Sequence, residues 1–391
     1  MSSAQVTSNL VPVSRSDLQL GVPIPHSVYD RSGMLLLKSG FRINLQRHLD
    51  ILLQNGLYFD QATQFAPVRP REVRPAAPVL AEEVQGTFEL VENIKHRLRH
   101  LFEYFRVGRE HDAFLLRVET LGITVQEACT HDSDAVLACL NLDYEMPYEV
   151  IHHLLAAVLC ELIGKKLGVK EEARSSLVMA ALTHDLGLID IQDTLDKQVA
   201  PLTPAQKARI ASHPAESVQI LRELGVRDPA WLDAVQHHHE RIDGSGYPDR
   251  LVGDALLPPA RVLAVADTYS AMVRDRPYRK AMVSRAAMRE MMVTQGGKID
   301  QRLIQAMIKE IGVFPPGVLV KLASGEIAVV KEGLADRAAP VVCAFIKPDG
   351  MPMLTLLRRE TARPEYTIEG IVPFAQYRGS VSLIRSLWVG N

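Results

Sequence analysis

Seven of the 13 histidines fall between Ile151 and Glu240: His152, His153, His184, His213, His237, His238 and His239. Imidazoles crowded in this way, joined by carboxylates in apolar surroundings, make a donor set for cations. His184-Asp185 sits in an apolar run from Met179 to Asp193 that reads as helix core, and Asp267 closes the run Val-Leu-Ala-Val-Ala-Asp that begins at Val262. A buried carboxylate needs a cation or several hydrogen-bond donors. Alone, a His-Asp dipeptide is more often a satisfied core histidine beside a helix-terminal acid than a metal pair. The cluster shifts that balance, because imidazole and carboxylate without thiolate favour iron, manganese or another borderline-to-hard ion over a structural zinc cage. Adjacent pairs, His184-Asp185 and His238-His239, point the same way. Neighbouring helical side chains diverge by about 100°, so one residue can serve one ion and its neighbour a second ion about 3.5–4 Å away.

The elements that must position these residues read as helices from Thr87 to about Ile311. Phe88, Val91, Ile94, Leu98, Leu101 and Phe105 recur at threes and fours, one apolar stripe along a long helix. Leu121–Ala128 and Ala135–Leu142 follow as two shorter helices. Pro147 suits the first turn of Tyr148–Leu167, where its missing N–H costs nothing, and the small residues Ala156, Ala157, Cys160 and Gly164 point to close helix packing. Thr203-Pro204-Ala205-Gln206 has the form of a capping box and opens a helix toward Ala211, after which Pro214 restarts the chain. Trp231–His238, Pro259–Met272, Ser284–Met292 and Arg302–Ile311 complete the helical set.

On either side the pattern changes. Residues 1–65 read as a small α+β module, with a β-like run Met34–Lys38 and an amphipathic helix Asn44–Asn55 closed by Gly56. Residues 66–86 hold Pro67, Pro70, Pro75 and Pro78 among charges, a linker composition. The helical domain spans 87–312. Residues 313–391 form a β-rich appendage with two hairpins, Val318–Leu322 with Glu326–Val330 and Val341–Ile346 with Met353–Leu357. The fold class is mainly α, a multi-helix domain flanked by these two small modules.

A net charge of −2 gives no overall attraction to nucleic acid, so an anionic ligand must be held by local charge. The four cysteines show no CxxC pairing and read as small buried hydrophobes in a reduced compartment. No secretory leader is apparent, and the longest charge-free apolar run falls short of about 18 residues. These features together read as a soluble, cytoplasmic protein without a membrane span.

The motifs resemble the HD-GYP family of bacterial cyclic di-GMP phosphodiesterases. His184-Asp185, His213-Pro214, the string from His238 to Pro248 (HHERIDGSGYP), Val265-Ala266-Asp267 and Asp275-Arg276-Pro277-Tyr278-Arg279 stand in the family's order and spacing. The resemblance implies a helical HD-type phosphohydrolase domain holding two metal ions, sometimes three, that hydrolyses cyclic di-GMP to linear pGpG or GMP. It implies His152, His184, Asp185, His213, His238, His239 and Asp267 as ligands to divalent ions, iron or manganese, with Asp185 bridging and His184 and Asp185 central to catalysis. In-line attack by a metal-activated water is the implied chemistry. Arg276 and Arg279 stand where the family contacts phosphate or guanine. Asp243, Gly244, Gly246, Tyr247 and Pro248 form its signature loop, implicated in binding diguanylate cyclase (GGDEF-type) partners. The flanking modules offer surfaces for a homodimer.

His153 and His237 match no family position and read as structural. Were His153 the ligand in place of His152, Glu149 one turn before it would help hold a third ion; in the His152 register that place is taken by Tyr148, which argues for two. Glu240 and Arg241 read equally as a helix-end salt bridge or as site residues, and Arg274 and Lys280 as solvated charges. The chain departs from the family where Leu188 replaces the usual Lys and Ser270 a frequent Asp, a thinning of the substrate-facing charges that implies slow turnover or altered preference. Two alternatives follow: a non-catalytic module binding cyclic di-GMP or a diguanylate cyclase, and a general HD phosphohydrolase acting on mononucleotides.

Overall fold

Short apolar runs between turns build a first sheet. The computed structural model describes residues 10–14, 16–43, 46–54, 57–60, 86–108, 113–275, 280–294, 296–333 and 339–388. Strands Leu10–Pro12 (β1), Val28–Tyr29 (β2), Leu35–Leu37 (β3) and Tyr58–Asp60 (β4) are antiparallel in the order β1-β4-β2-β3. Helix α1, Gln46–Gln54, supplies Leu49 and Leu52 to a core shared with Ile24, Val28, Leu37 and Phe59. Arg117 donates to Asp30 and to Ser32, each at 2.8 Å. Residues 1–85 with 110–123 make up one compact unit, and residues 86–109 with 124–391 the other. Gly56 and the linker residues 66–85 lie outside the described residues.

The second unit holds the seven clustered histidines. Helix α2, Thr87–Arg106, buries Phe88, Val91, Ile94, Leu98 and Leu101 as the spacing requires, with Phe102 buried where the stripe suggested Phe105. Lys95 is fully buried and paired with Asp143. Helix α3, Phe114–Asn141, joins the two expected helices through a kink at Asp132 (φ −158°, ψ 92°), whose carboxylate accepts from the Ala135 N–H at 2.9 Å. A short polar side chain competing for backbone donors is the cause of such a break. Helix α4, Tyr148–Lys166, follows Pro147 at its N-cap and is buried nearly all round. It packs on α5, Glu171–Thr183, where a Cβ at Gly164 would stand 3.0 Å from Arg174.

Helix α6, Gln192–Lys197, is short. Helix α7, Pro204–Glu223, opens on the expected capping box, Gln206 N–H to Thr203 Oγ1 at 3.2 Å and Thr203 N–H to Gln206 Oε1 at 2.9 Å. It does not restart at Pro214 as the sequence suggested. The helix runs straight through, giving up one backbone bond that the site uses. Helices α8 (Pro229–His237, capped by Asp228), α9 (Pro258–Met272), α10 (Ser284–Val293) and α11 (Gln301–Ile311, capped by Asp300) complete the body. None of the described helices is long and apolar enough to cross a membrane.

Both C-terminal hairpins are present. Strands β5 (Leu319–Leu322), β6 (Ile327–Glu332), β7 (Val341–Ile346), β8 (Pro352–Glu360) and β9 (Ile368–Ile371) form an antiparallel sheet in the order β8-β7-β6-β5-β9. Its inner face buries Val320, Leu322, Ala328, Val330, Val342 and Ala344. Asn141 donates to Pro316 O at 2.8 Å, Tyr144 stacks on Phe374 at 4.2 Å, and Phe88 stacks on Trp388, just past the last helix α12 (Val381–Arg385). The fold is thus a mainly α body with small sheets in its N- and C-terminal regions.

Candidate metal centre

Helix α5 stops at Thr183, ten residues before the apolar run ends, so His184 and Asp185 lie on the turn that leaves it rather than in helix core. The stop is fixed on both sides. Thr183 Oγ1 donates to Met179 O at 2.8 Å and accepts from the indole N–H of Trp231 at 2.9 Å, tying α5 to α8. Gly187 N–H donates to Ser217 Oγ at 2.8 Å, and a Cβ at Gly187 would stand 2.6 Å from His213 O. Only glycine lets α7 bring His213 this close.

One device orients three of the imidazoles. The last carbonyls of a helix have no intrahelical donor, and His184 and His238 directly follow the ends of α5 and α8. Their Nδ1–H groups donate to Ala181 O at 2.8 Å and Val235 O at 2.7 Å. His213 lies inside α7, where Ile210 O would ordinarily accept from the N–H of residue 214. Proline has none, and His213 Nδ1–H takes that carbonyl at 2.6 Å. His152, in the middle of α4, points Nδ1 at Ser270 Oγ at 3.0 Å, and that hydroxyl donates to Asp267 O at 2.9 Å. Carbonyls only accept, and the Ser270 hydrogen is already used, so Nδ1 carries the proton in all four rings. Each Nε2 then presents a lone pair inward, as metal-ligating histidines do.

Those lone pairs meet one another and two carboxylates. His213 Nε2 is 3.2 Å from His238 Nε2 and 3.0 Å from Asp185 Oδ1. His184 Nε2 stands 3.4 Å from Asp185 Oδ2, and His152 Nε2 is 3.2 Å from Asp267 Oδ1. His239 Nδ1 is 3.8 Å from Asp267 Oδ2. Two groups could each hold an ion, Asp185 with His213, His238 and His239, and Asp185 with His152 and His184. Asp185 is common to both. His184 Nε2 is buried with no hydrogen-bond partner. A set of acceptors with so few protons among them requires cations, so the residues present fit divalent metal ions.

Electrostatics express the same demand. Although burial opposes charge, His184 and His213 hold the Asp185 carboxyl well below the usual range, and His152 and His184 do so for Asp267. Against its own burial, His184 is raised to about 9 by Asp185 and Asp267, so its Nε2 position favours a positive charge, whether a proton's or a metal ion's. Burial and neighbouring imidazoles push His238 well down and His239 to about 4.

The remaining residues sort by contact. His153 donates Nδ1–H to Glu149 O at 2.7 Å, packs on Phe102 and is lowered to about 3 by burial, while Glu149 pairs with Arg106. Tyr148 stacks on His152 with ring centres 5.1 Å apart. His237 bridges Asp233 at 2.9 Å and Asp249 at 3.1 Å. Glu240 forms no salt bridge with Arg241 among the described residues; its buried carboxylate accepts three backbone N–H groups instead. Arg274 is not a solvated charge, since it donates to Asp143 O at 2.9 Å and to Leu140 O, whereas Lys280 is exposed. Arg276 and Arg279 lie outside the described residues. Leu188 is buried and offers no charge. Ser270, read from sequence as a lost carboxylate, is the group that orients His152.

Residues 137–303 match the family described as HD domain. The chain is 28% identical over 263 residues to cyclic di-GMP phosphodiesterase PA4108 of Pseudomonas aeruginosa, covering 67% of this chain and 63% of that protein. It is 36% identical over 150 residues to the cyclic di-GMP phosphodiesterase response regulator RpfG of Xanthomonas campestris, covering 38% and 39%. Identity to 3′3′-cGAMP-specific phosphodiesterase 1 of Vibrio cholerae is 26% over 225 residues, covering 56% and 52%. The chain thus spans less than two thirds of each of these relatives. Among solved structures, Bd1817, described as a HDG“Y”P protein from Bdellovibrio bacteriovorus, superposes with a TM-score of 0.47 at 16% identity, covering 76% of this chain and 98% of that one.

Proposed function

We propose, since this chain carries an HD domain of the HD-GYP family, that it is a metal-dependent phosphodiesterase that opens cyclic di-GMP to linear pGpG, GMP or both. The observation that carries the reading is the acceptor-only cluster with Asp185 at its centre and His184 Nε2 buried without a partner. Two divalent ions, iron or manganese, would be held by His152, His184, Asp185 and Asp267 on one side and by Asp185, His213, His238 and His239 on the other. When bound, such ions supply an activated water and neutralise charge on the phosphoryl oxygens. The chain's own contribution is orientation. Four rings are locked by Nδ1–H bonds, so little reorganisation remains when the phosphodiester arrives. Arg276 and Arg279 would contact phosphate or guanine. Leu188 withholds one cation from the substrate, and the loss of one charge-assisted contact costs on the order of 2–4 kcal/mol of transition-state stabilisation, so turnover is slow.

The test is turnover under reducing, anaerobic conditions with cyclic di-GMP and 3′3′-cGAMP side by side, products resolved by chromatography. Cyclic di-GMP is expected to give linear product, and His184→Ala or Asp185→Ala to abolish it. Metal-replete protein that binds the dinucleotide and leaves it intact refutes the reading. That outcome would favour a non-catalytic module that recognises cyclic di-GMP or a diguanylate cyclase through Asp243–Pro248, as a monomer or homodimer.

A further inference from the structure

Four of the five candidate histidines have Nδ1 fixed by a carbonyl or by Ser270, and His239 does not. Its Nδ1 faces Asp267, so something else must hold the ring. The loop that follows it folds back to do so. Tyr247 N–H donates to His239 O at 3.3 Å, and the Tyr247 ring lies over the His239 ring with centres 4.8 Å apart.

A loop with no regular structure beyond the Asp243–Val252 bridge needs a fastening. Three consecutive backbone donors converge on one carboxylate: Asp249 N–H and Arg250 N–H reach Glu240 Oε1 at 2.6 and 2.7 Å, and Leu251 N–H reaches Oε2 at 3.1 Å. Glu240 is 1% exposed. Successive N–H groups aimed at one anion form a nest, and making it places Arg250 at φ +57°, a conformation costly to a residue with a Cβ. Gly246 packs against the backbone of Glu240 and Arg241 with no room for a Cβ. His237 adds a second fastening through Asp249.

We propose that Glu240 is a positioning residue for the metal centre: its carboxylate clasps residues 249–251, the clasped loop presses Tyr247 onto His239, and Tyr247 sets that imidazole's orientation. The inference rests on the metal-site reading. Glutamine at 240 keeps the shape but turns an amide N–H₂ toward one of the three backbone donors, so the clasp opens.

The experiment is metal titration with Mn²⁺ alone on apo protein, together with kcat, KM and thermal melting, for wild type, Glu240→Gln, Tyr247→Ala and Tyr247→Phe. Glu240→Gln is expected to weaken one Mn²⁺ affinity by about ten- to hundredfold and to lower kcat with KM within about twofold, while the apo melting temperature falls by no more than about five degrees. Tyr247→Ala should repeat this with Glu240 intact, and Tyr247→Phe, which keeps the ring, should restore wild-type affinity. Wild type that takes up no Mn²⁺ refutes the metal centre itself. Wild type that binds, with Glu240→Gln or a folded Tyr247→Ala titrating identically, overturns only the clasp. Should Glu240→Gln fail to fold, the two Tyr247 variants decide.

Discussion

A serine three positions after a metal-site aspartate looks like a lost charge until its neighbours are known. Ser270 is fully buried, and its hydroxyl stands between His152 Nδ1 and Asp267 O. Ser270→Ala removes that acceptor and frees the imidazole to rotate or change tautomer. The expected outcome is metal affinity lowered by about tenfold or more, measured by titration, with the melting temperature of the apo protein changed little. The seven acid and imidazole residues were singled out by a sequence whose motifs resemble one family, and the structure draws them together; that they hold metal is the proposal made above. The parts played by Ser270, the Ile210 carbonyl and the Glu240 clasp were not legible in the sequence. Each acts through a partner chosen by tertiary packing, and Ser270 stands 118 positions from the ring it orients.

Helix α7 carries a conflict between local and functional demands. An interior proline costs a helix about 3 kcal/mol, and α7 bears Pro214 because its missing N–H leaves Ile210 O to His213. Pro214→Ala should therefore stabilise the apo protein in urea unfolding while weakening metal binding by about tenfold or more, two effects of opposite sign. Proline usually ends a helix, so the sequence alone points to a stop there; α7 continues because its flanks pack on the turn holding Gly187. Long amphipathic or buried elements such as α2, α4 and α9 were legible, whereas the end of α5 was not. The apolar pattern runs on past Thr183, and only packing against Trp231 and Ser217 stops the helix. Elsewhere α2 is held by a buried pair. Lys95 is raised against its burial, with Asp143 among the groups responsible, and the Lys95 ammonium holds Asp143 low against the burial of that carboxyl. Lys95→Met strands Asp143 and should cost about 3–5 kcal/mol near neutral pH. The depressed carboxyl contributes stability above its unfolded value of about 4 and loses it as pH falls through the folded value. The gap between wild type and Lys95→Met in urea unfolding should therefore narrow below about pH 4.

At the scale of the whole molecule, the centre draws on α4, α5, α7, α8 and α9, so an ion held there joins segments from His152 to Asp267. Binding that favours the folded state by about 4 kcal/mol at thousandfold saturation moves the melting temperature of a body this size by roughly six or seven degrees. Chelation under reducing conditions should lower the melting temperature of wild type by about that amount and move Asp185→Ala by half of it or less, as read by calorimetry. The C-terminal sheet lies within the same compact unit as these helices, so the shift should be reported by Trp388 as well as by Trp231. One pocket holding two ions through a shared Asp185 is the proposed heart of this protein, and metal stoichiometry after anaerobic reconstitution tests it most directly. About two iron or manganese ions per wild-type chain, falling to one or fewer in Asp185→Ala, is the result expected; a chain that retains no ion, or an Asp185→Ala variant that retains as many as wild type, would contradict it.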